Sequence, residues 1–135
     1  MAPTITRMTP PGLPDSTNVG YSQISIVEPG PLAFVSGQVA WRKDGSPVPA
    51  SLEDQTKIVM ENLSETLGSL GASAQDIVMM RAYMTDLRPE TQAIVMGPLS
   101  LLLAGAQPSL TGIGVASLAS PDLQLEVEMV VRVPD

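Results

Sequence analysis

The stretch Leu123-Gln124-Leu125-Glu126-Val127-Glu128-Met129-Val130-Val131 alternates apolar and polar residues over most of its length. A period of two marks a half-buried β-strand, whose successive side chains point to opposite faces of a sheet. Leu123, Leu125, Val127 and Met129 fall on one face, and Gln124, Glu126 and Glu128 on the other. Two carboxylates therefore share one side of the sheet. The chain has no histidine and no cysteine, so acid–base chemistry falls to carboxylates, Tyr, Lys or bound water. Glu126 and Glu128 are the leading candidates by position and by elimination.

Working outward, the remaining elements can be placed by periodicity and turn chemistry. Residues 1–20 are rich in Pro, Thr and Gly and read as an extended lead-in with a short edge strand at Thr4–Met8. Tyr21–Val27 alternates, Glu28-Pro29-Gly30-Pro31 is a turn, and Leu32–Val39 returns, which predicts a hairpin. Ser51 opens a helix with Asp54 three residues on, and Leu52, Val59, Leu63, Leu67 and Leu70 form its apolar stripe up to Gly71. Ile77–Thr85 is the next strand, with Val78, Met80, Ala82 and Met84 on one face and Met79, Arg81 and Tyr83 on the other. Pro89–Ala104 is a second helix, which Gly97-Pro98 is expected to kink or divide. Leu110–Leu118 and the carboxylate-bearing strand close the chain as a further strand pair.

The resulting order, β-β-α-β-α-β-β, predicts an α+β fold with a mixed sheet and both helices on one face. All 135 residues are expected to form one domain, for which that length is ordinary. Aromatic residues make up only 3% of the chain and leave the core to aliphatics and Met. The 11 Gly and 13 Pro favour burial between subunits as a further source of stability.

Charge narrows the partners. Seven basic against fourteen acidic residues give a net charge of −7, whereas nucleic-acid binding draws on a basic stripe. No nucleic-acid partner is expected. No apolar run is long enough to span a bilayer, and the Pro-rich N-terminus lacks the apolar core of a signal peptide. Cytoplasmic residence is expected, with no membrane partner. Zero cysteines exclude disulfides and Cys-based zinc sites, and no metal or cofactor is expected.

Several of these segments, taken together, resemble the RidA/YjgF family, also labelled endoribonuclease L-PSP. Tyr21-Ser22-Gln23 followed by Phe34-Val35-Ser36-Gly37-Gln38 resembles its opening signature. Gln55-Thr56, Glu61-Asn62-Leu63, Leu70-Gly71-Ala72-Ser73, Asp76-Ile77-Val78 and Tyr83-Met84-Thr85-Asp86-Leu87 follow its central pattern in order and spacing, and Leu125-Glu126-Val127-Glu128 its last strand. The resemblance implies a chorismate-mutase-like fold assembled as a homotrimer, with small-molecule clefts between subunits. It implies deaminase-like hydrolysis of reactive enamines and imines, such as 2-iminobutanoate, to 2-keto acids and ammonia. By that resemblance Glu126 positions the attacking water, Tyr21 lines the cleft, and Ser36, Gly37, Thr111 and Gly112 lie against substrate.

One position departs from the pattern. Where the family reads Pro-x-Arg-Ser, this chain reads Pro108-Ser109-Leu110-Thr111. The family arginine grips the substrate carboxylate through charge-assisted hydrogen bonds worth about 1.5–3 kcal/mol each. Leu110 supplies none of them, and recognition of a 2-imino acid should fall on the order of 100-fold. The polar residues of the family's second helix fall near Ile94 and Gly97. The expected ligand is therefore uncharged. Three functions compete at this level. The first is an imine, enamine or carbonyl hydrolase or tautomerase based on Glu126, and the second is a non-catalytic metabolite-binding trimer. The third is a ribonuclease or translation inhibitor, which the acidic charge and the absence of histidine oppose. Glu128 is expected to serve structure through a cross-strand pair, with Arg81 its natural partner.

Overall fold

The computed structural model of the protein describes residues 4–135. Eight elements follow one another: β1 (Ile5–Met8), β2 (Ile24–Val27), β3 (Leu32–Gln38), α1 (Leu52–Ser69), β4 (Ile77–Met84), α2 (Pro89–Leu103), β5 (Ser109–Gly114) and β6 (Leu125–Arg132). Four strands form a mixed sheet in the order β3-β6-β4-β5, in which β6 is antiparallel to both neighbours and β4 is parallel to β5. β1 and β2 make a separate antiparallel ribbon. The α+β class, the mixed sheet and the two helices agree with the sequence reading.

The core lies between one face of the sheet and the two helices. Val59, Leu63 and Leu67 of α1 and Val95, Leu99 and Leu103 of α2 pack with Met80, Met84, Leu125, Val127 and Met129. The alternation of the last strand holds residue by residue: Leu123, Leu125, Val127 and Met129 are buried and Gln124, Glu126 and Glu128 half-buried. α1 starts at the expected cap, with Ser51 Oγ accepting from the Asp54 N–H at 3.1 Å. It ends with Gly71 at φ +64° and Ala72 N–H donating back to the Leu67 carbonyl at 2.9 Å. That left-handed residue is why a glycine stands there.

Strand pairing departs from expectation in two places. β2 and β3 do not form a hairpin; β2 pairs with β1, and β3 with β6. The cause sits in the turn between them. The buried Arg132 guanidinium donates to the carbonyls of Glu28 and Pro29, at 3.3 and 2.9 Å, so residues 28–31 wrap around it. A Cβ at Gly30 would lie 2.1 Å from Arg132 Cζ, which leaves room only for glycine. Nor do the last two strands pair with each other. The α2 crossover returns β5 parallel to β4, as such connections do, and β6 inserts between β3 and β4.

Three smaller corrections follow. β2 starts at Ile24, because Tyr21 is held outside it by Ser16, whose Oγ donates to the Tyr21 carbonyl at 2.6 Å. A register shift between Ile77 and Met79 puts Ile77, not Val78, in the core. α2 is not divided at Pro98, so of the two expected outcomes, a kink or two helices, the second is not found; Gly97 before it has no Cβ to clash with the ring, which relaxes the usual restriction on the preceding residue.

Candidate functional site

On the sheet face turned away from the helices, β4 sets Tyr83 opposite Glu126 and Arg81 opposite Glu128. The Tyr83 hydroxyl donates to Glu128 Oε1 at 2.6 Å, and Arg81 Nη1 donates to the same oxygen at 3.0 Å. The Tyr83 bond first, and then the Arg81 bond, holds the Glu128 carboxyl below the usual carboxylate range. The same contact pushes the Tyr83 hydroxyl up. Glu128 is thus committed to a cross-strand pair, as the sequence suggested.

Glu126 is placed differently. Its side chain accepts no hydrogen bond from any of the described residues. It lies over the backbone of β3 at Gly37, where a Cβ would come within 2.4 Å of Glu126 Cδ and 2.5 Å of Oε2. The β3–β6 register shifts between Val35 and Gln38, so Ser36 and Gly37 sit in an irregularity rather than a regular ladder. Gly37 clears the space and Glu126 fills it with an unengaged carboxylate. Ser36 is exposed beside it.

On the helix side a cavity of about 320 Å³ opens between β4, β5 and α2. Ala82, Met84, Leu110 and Gly112 form its sheet wall, Gln92, Val95, Met96 and Leu99 its helix wall, and Val19, Tyr21 and Leu87 its margin. No charged side chain lines it. Leu110 packs against the core from this wall. Tyr21 is brought to this wall through its neighbour: Ser22 donates its N–H to the Pro108 carbonyl at 3.1 Å and its hydroxyl to Gln107 at 2.6 Å.

The residues singled out from sequence therefore fall into two groups. Tyr21, Leu110 and Gly112 share the cavity; Ser36, Gly37 and Glu126 share the opposite face. Thr111 alternates away from Leu110 and lies in register with Arg81 on the Glu126 side, so it does not join the cavity. Within one chain the sheet separates Glu126 from the cavity. Gln92 was not among the sequence candidates, although 92, 95, 96 and 99 follow helical spacing along one face of α2. Ile94, one of the two α2 positions matched to the family, instead lines a separate hollow near the start of α1, together with Ser51, Asp86 and Arg88. Among the described residues no three carboxylates gather as a metal site, and no helix is long and apolar enough to cross a membrane.

The molecule is a small α+β protein, a mixed sheet with two helices on one face. The family model described as endoribonuclease L-PSP matches residues 14–133. The RutC family protein YjgH of Escherichia coli is 32% identical over 81% of this chain and 81% of its own length. Protein mmf2, mitochondrial, of Schizosaccharomyces pombe is 32% identical over 77% of this chain and 82% of its own. The crystal structure of YyfB from Yersinia pestis, of the conserved Rid protein family, superposes with a TM-score of 0.87 at 30% identity, covering 96% of this chain and 98% of that one. The chain belongs to the RidA/YjgF family.

Proposed function

We propose that the protein hydrolyses or tautomerises a reactive imine, enamine or related carbonyl compound that lacks a carboxylate, in clefts formed between copies of the chain. The observation that carries this reading is the free Glu126 carboxylate over Gly37, paired with a cavity that holds Leu110 and no cation. A second copy is required because the sheet keeps the two apart in one chain. Apolar side chains on the Glu126 side favour such assembly: Phe34 is 77% and Leu32 40% exposed. By the family resemblance the assembly is a homotrimer; the setting read from the N-terminal sequence is the cytoplasm, although a relative from Schizosaccharomyces pombe is named mitochondrial.

In the hydrolysis, Glu126 accepts a proton as water adds to the imine carbon, and then returns it to nitrogen. Glu126 then takes the hydroxyl proton of the carbinolamine and passes it to the amine nitrogen, and the C–N bond breaks to give a carbonyl and ammonia. By the family resemblance, backbone N–H groups near Gly37 and Gly112 would polarise the electrophile. A second reading, metabolite binding without turnover, is favoured by one feature: apart from Tyr21, the cavity lining offers no acid–base group.

The test is ammonia release from freshly generated imines. The natural protein should be inactive on 2-iminobutanoate and active on a neutral imine such as that of butanone, with Glu126→Gln lowering the latter at least 100-fold. Leu110→Arg should gain turnover of 2-iminobutanoate. Activity of the natural protein on 2-iminobutanoate would overturn the assignment of Leu110, and failure of every imine would favour the binding reading.

A further inference from the structure

We infer that the cavity selects a ligand with an apolar body and one uncharged hydrogen-bonding end, an amide, ketone or imine, and that Gln92 is the side chain that reads that end. This rests on the reading of the cavity as half of a ligand cleft, but not on turnover.

The walls set the apolar requirement. Val95, Leu99, Met84, Met96 and Leu110 surround a space of about 320 Å³, roughly twice the ~150 Å³ that holds benzene in an engineered apolar cavity. A ligand of about eight to twelve non-hydrogen atoms fits it. A carboxylate placed there would be desolvated against Leu110 with no cation to pair it, which strongly disfavours binding.

Two residues supply all the side-chain polarity. The Gln92 carboxamide and the Tyr21 hydroxyl line the cavity, and neither has a hydrogen-bond partner among the described residues. Both are neutral, and both can donate and accept. A carboxamide matches a neutral carbonyl, amide or imine in either direction, whereas Tyr21 stands at the margin. Gln92 lies one helical turn before Val95 and Met96, so the end it reads belongs to a molecule whose body lies along Val95, Met96 and Leu99. Gln92 is exposed at the mouth of the cavity, so water takes over part of a lost bond and its removal has a moderate effect.

The experiment uses isocaproamide and isocaproate, which share a carbon skeleton and differ in charge, titrated into the full-length protein. Methyl NMR signals of Met84 and Met96, both in the cavity wall, report binding there. The amide should bind at least tenfold more tightly than the carboxylate and shift both methyls. Gln92→Leu should weaken amide binding about five- to tenfold. Gln92→Glu, nearly isosteric and placed on an exposed helical site that tolerates it, should weaken it as well. Leu110→Arg should reverse the preference between the two ligands. Equal affinity for both ligands, an unchanged amide affinity in both Gln92 variants, or binding that leaves the Met84 and Met96 signals unmoved would each overturn the inference. Because the readout is binding, a protein that turns over no imine yet prefers the amide would refute the enzymatic reading and uphold this one. Turnover accompanied by indifference to charge would do the opposite.

Discussion

A methyl group added at Gly37 would sit 2.4 Å from the Cδ of Glu126. The obstructing atoms belong to the end of a side chain, so the carboxylate can swing aside while the strand stays in place. Gly37→Ala should therefore lower turnover about 10- to 100-fold, the usual effect of misplacing a reacting group by an ångström, while thermal unfolding shifts little. A large loss of stability with activity per folded molecule unchanged would contradict the role given to Gly37. Glu128 allows a second prediction. Its carboxyl is held low by Tyr83 and Arg81, so its contribution to stability is present above the unfolded value of about 4.3 and fades as pH falls through the folded value. The Tyr83 hydroxyl is pushed up, so its contribution is present below about 10 and lost as pH rises through its folded value. Glu128→Gln should flatten the acid limb of the stability–pH curve, measured by urea unfolding; an unaltered limb would mean that the pair adds nothing, as exposed pairs often do. At this scale the sequence spoke clearly about Glu126 and Glu128, because alternation assigns faces. It did not point to Gly37 as the residue under Glu126, since that contact joins positions 89 apart in the chain.

Among the elements, α2 differed most from its sequence signal. Gly97-Pro98 predicts a kink or a division, and the helix is not divided but runs from Pro89 to Leu103. Burial of Val95, Leu99 and Leu103 in the core outweighs the propensity penalty, as tertiary packing commonly does. Proline in a helix interior is disfavoured by about 3 kcal/mol relative to alanine, whereas the freedom it removes from the unfolded chain returns only about 0.4–1 kcal/mol. Pro98→Ala should accordingly stabilise the protein by about 2 kcal/mol, seen as a higher denaturant midpoint at unchanged slope. A lower midpoint would show that Pro98 serves packing that alanine cannot replace. The bounds of helix α1 were legible because cap and terminal glycine are local signals, but the burial of Gln55 and Thr56 was not. The strand partners were not. The chain reads Glu28-Pro29-Gly30-Pro31 as a hairpin turn, but its geometry is set by Arg132, a hundred residues away.

For the whole molecule, the decisive fact is that the sheet divides the candidate site. The cavity of Tyr21, Leu110, Gly112 and Gln92 opens toward α2, while Glu126 lies on the far face with Tyr83 and Glu128. The sequence reading set Glu126, Tyr21 and Thr111 against one substrate, because a family likeness carries residues and not the faces they occupy; the strand register separates them. Which faces meet in an assembly depends on surfaces that only the folded chain presents. The proposed cleft joins the cavity of one copy to Glu126 of another, and subunit mixing tests this directly. Gly112 lines the cavity, and a Cβ there meets nothing within 4 Å, so Gly112→Phe should block the cavity without disturbing the strand. Gly112→Phe and Glu126→Gln proteins, each inactive alone, would be unfolded together, refolded at equal ratio and assayed for hydrolysis of the neutral imine. If each cleft draws on two copies, about a quarter of all clefts in the refolded mixture combine an open cavity with an intact Glu126, and activity should return to roughly that fraction of the natural level. If hybrids form and remain inactive, both halves of each site come from one chain, and the account of a cleft between copies is wrong.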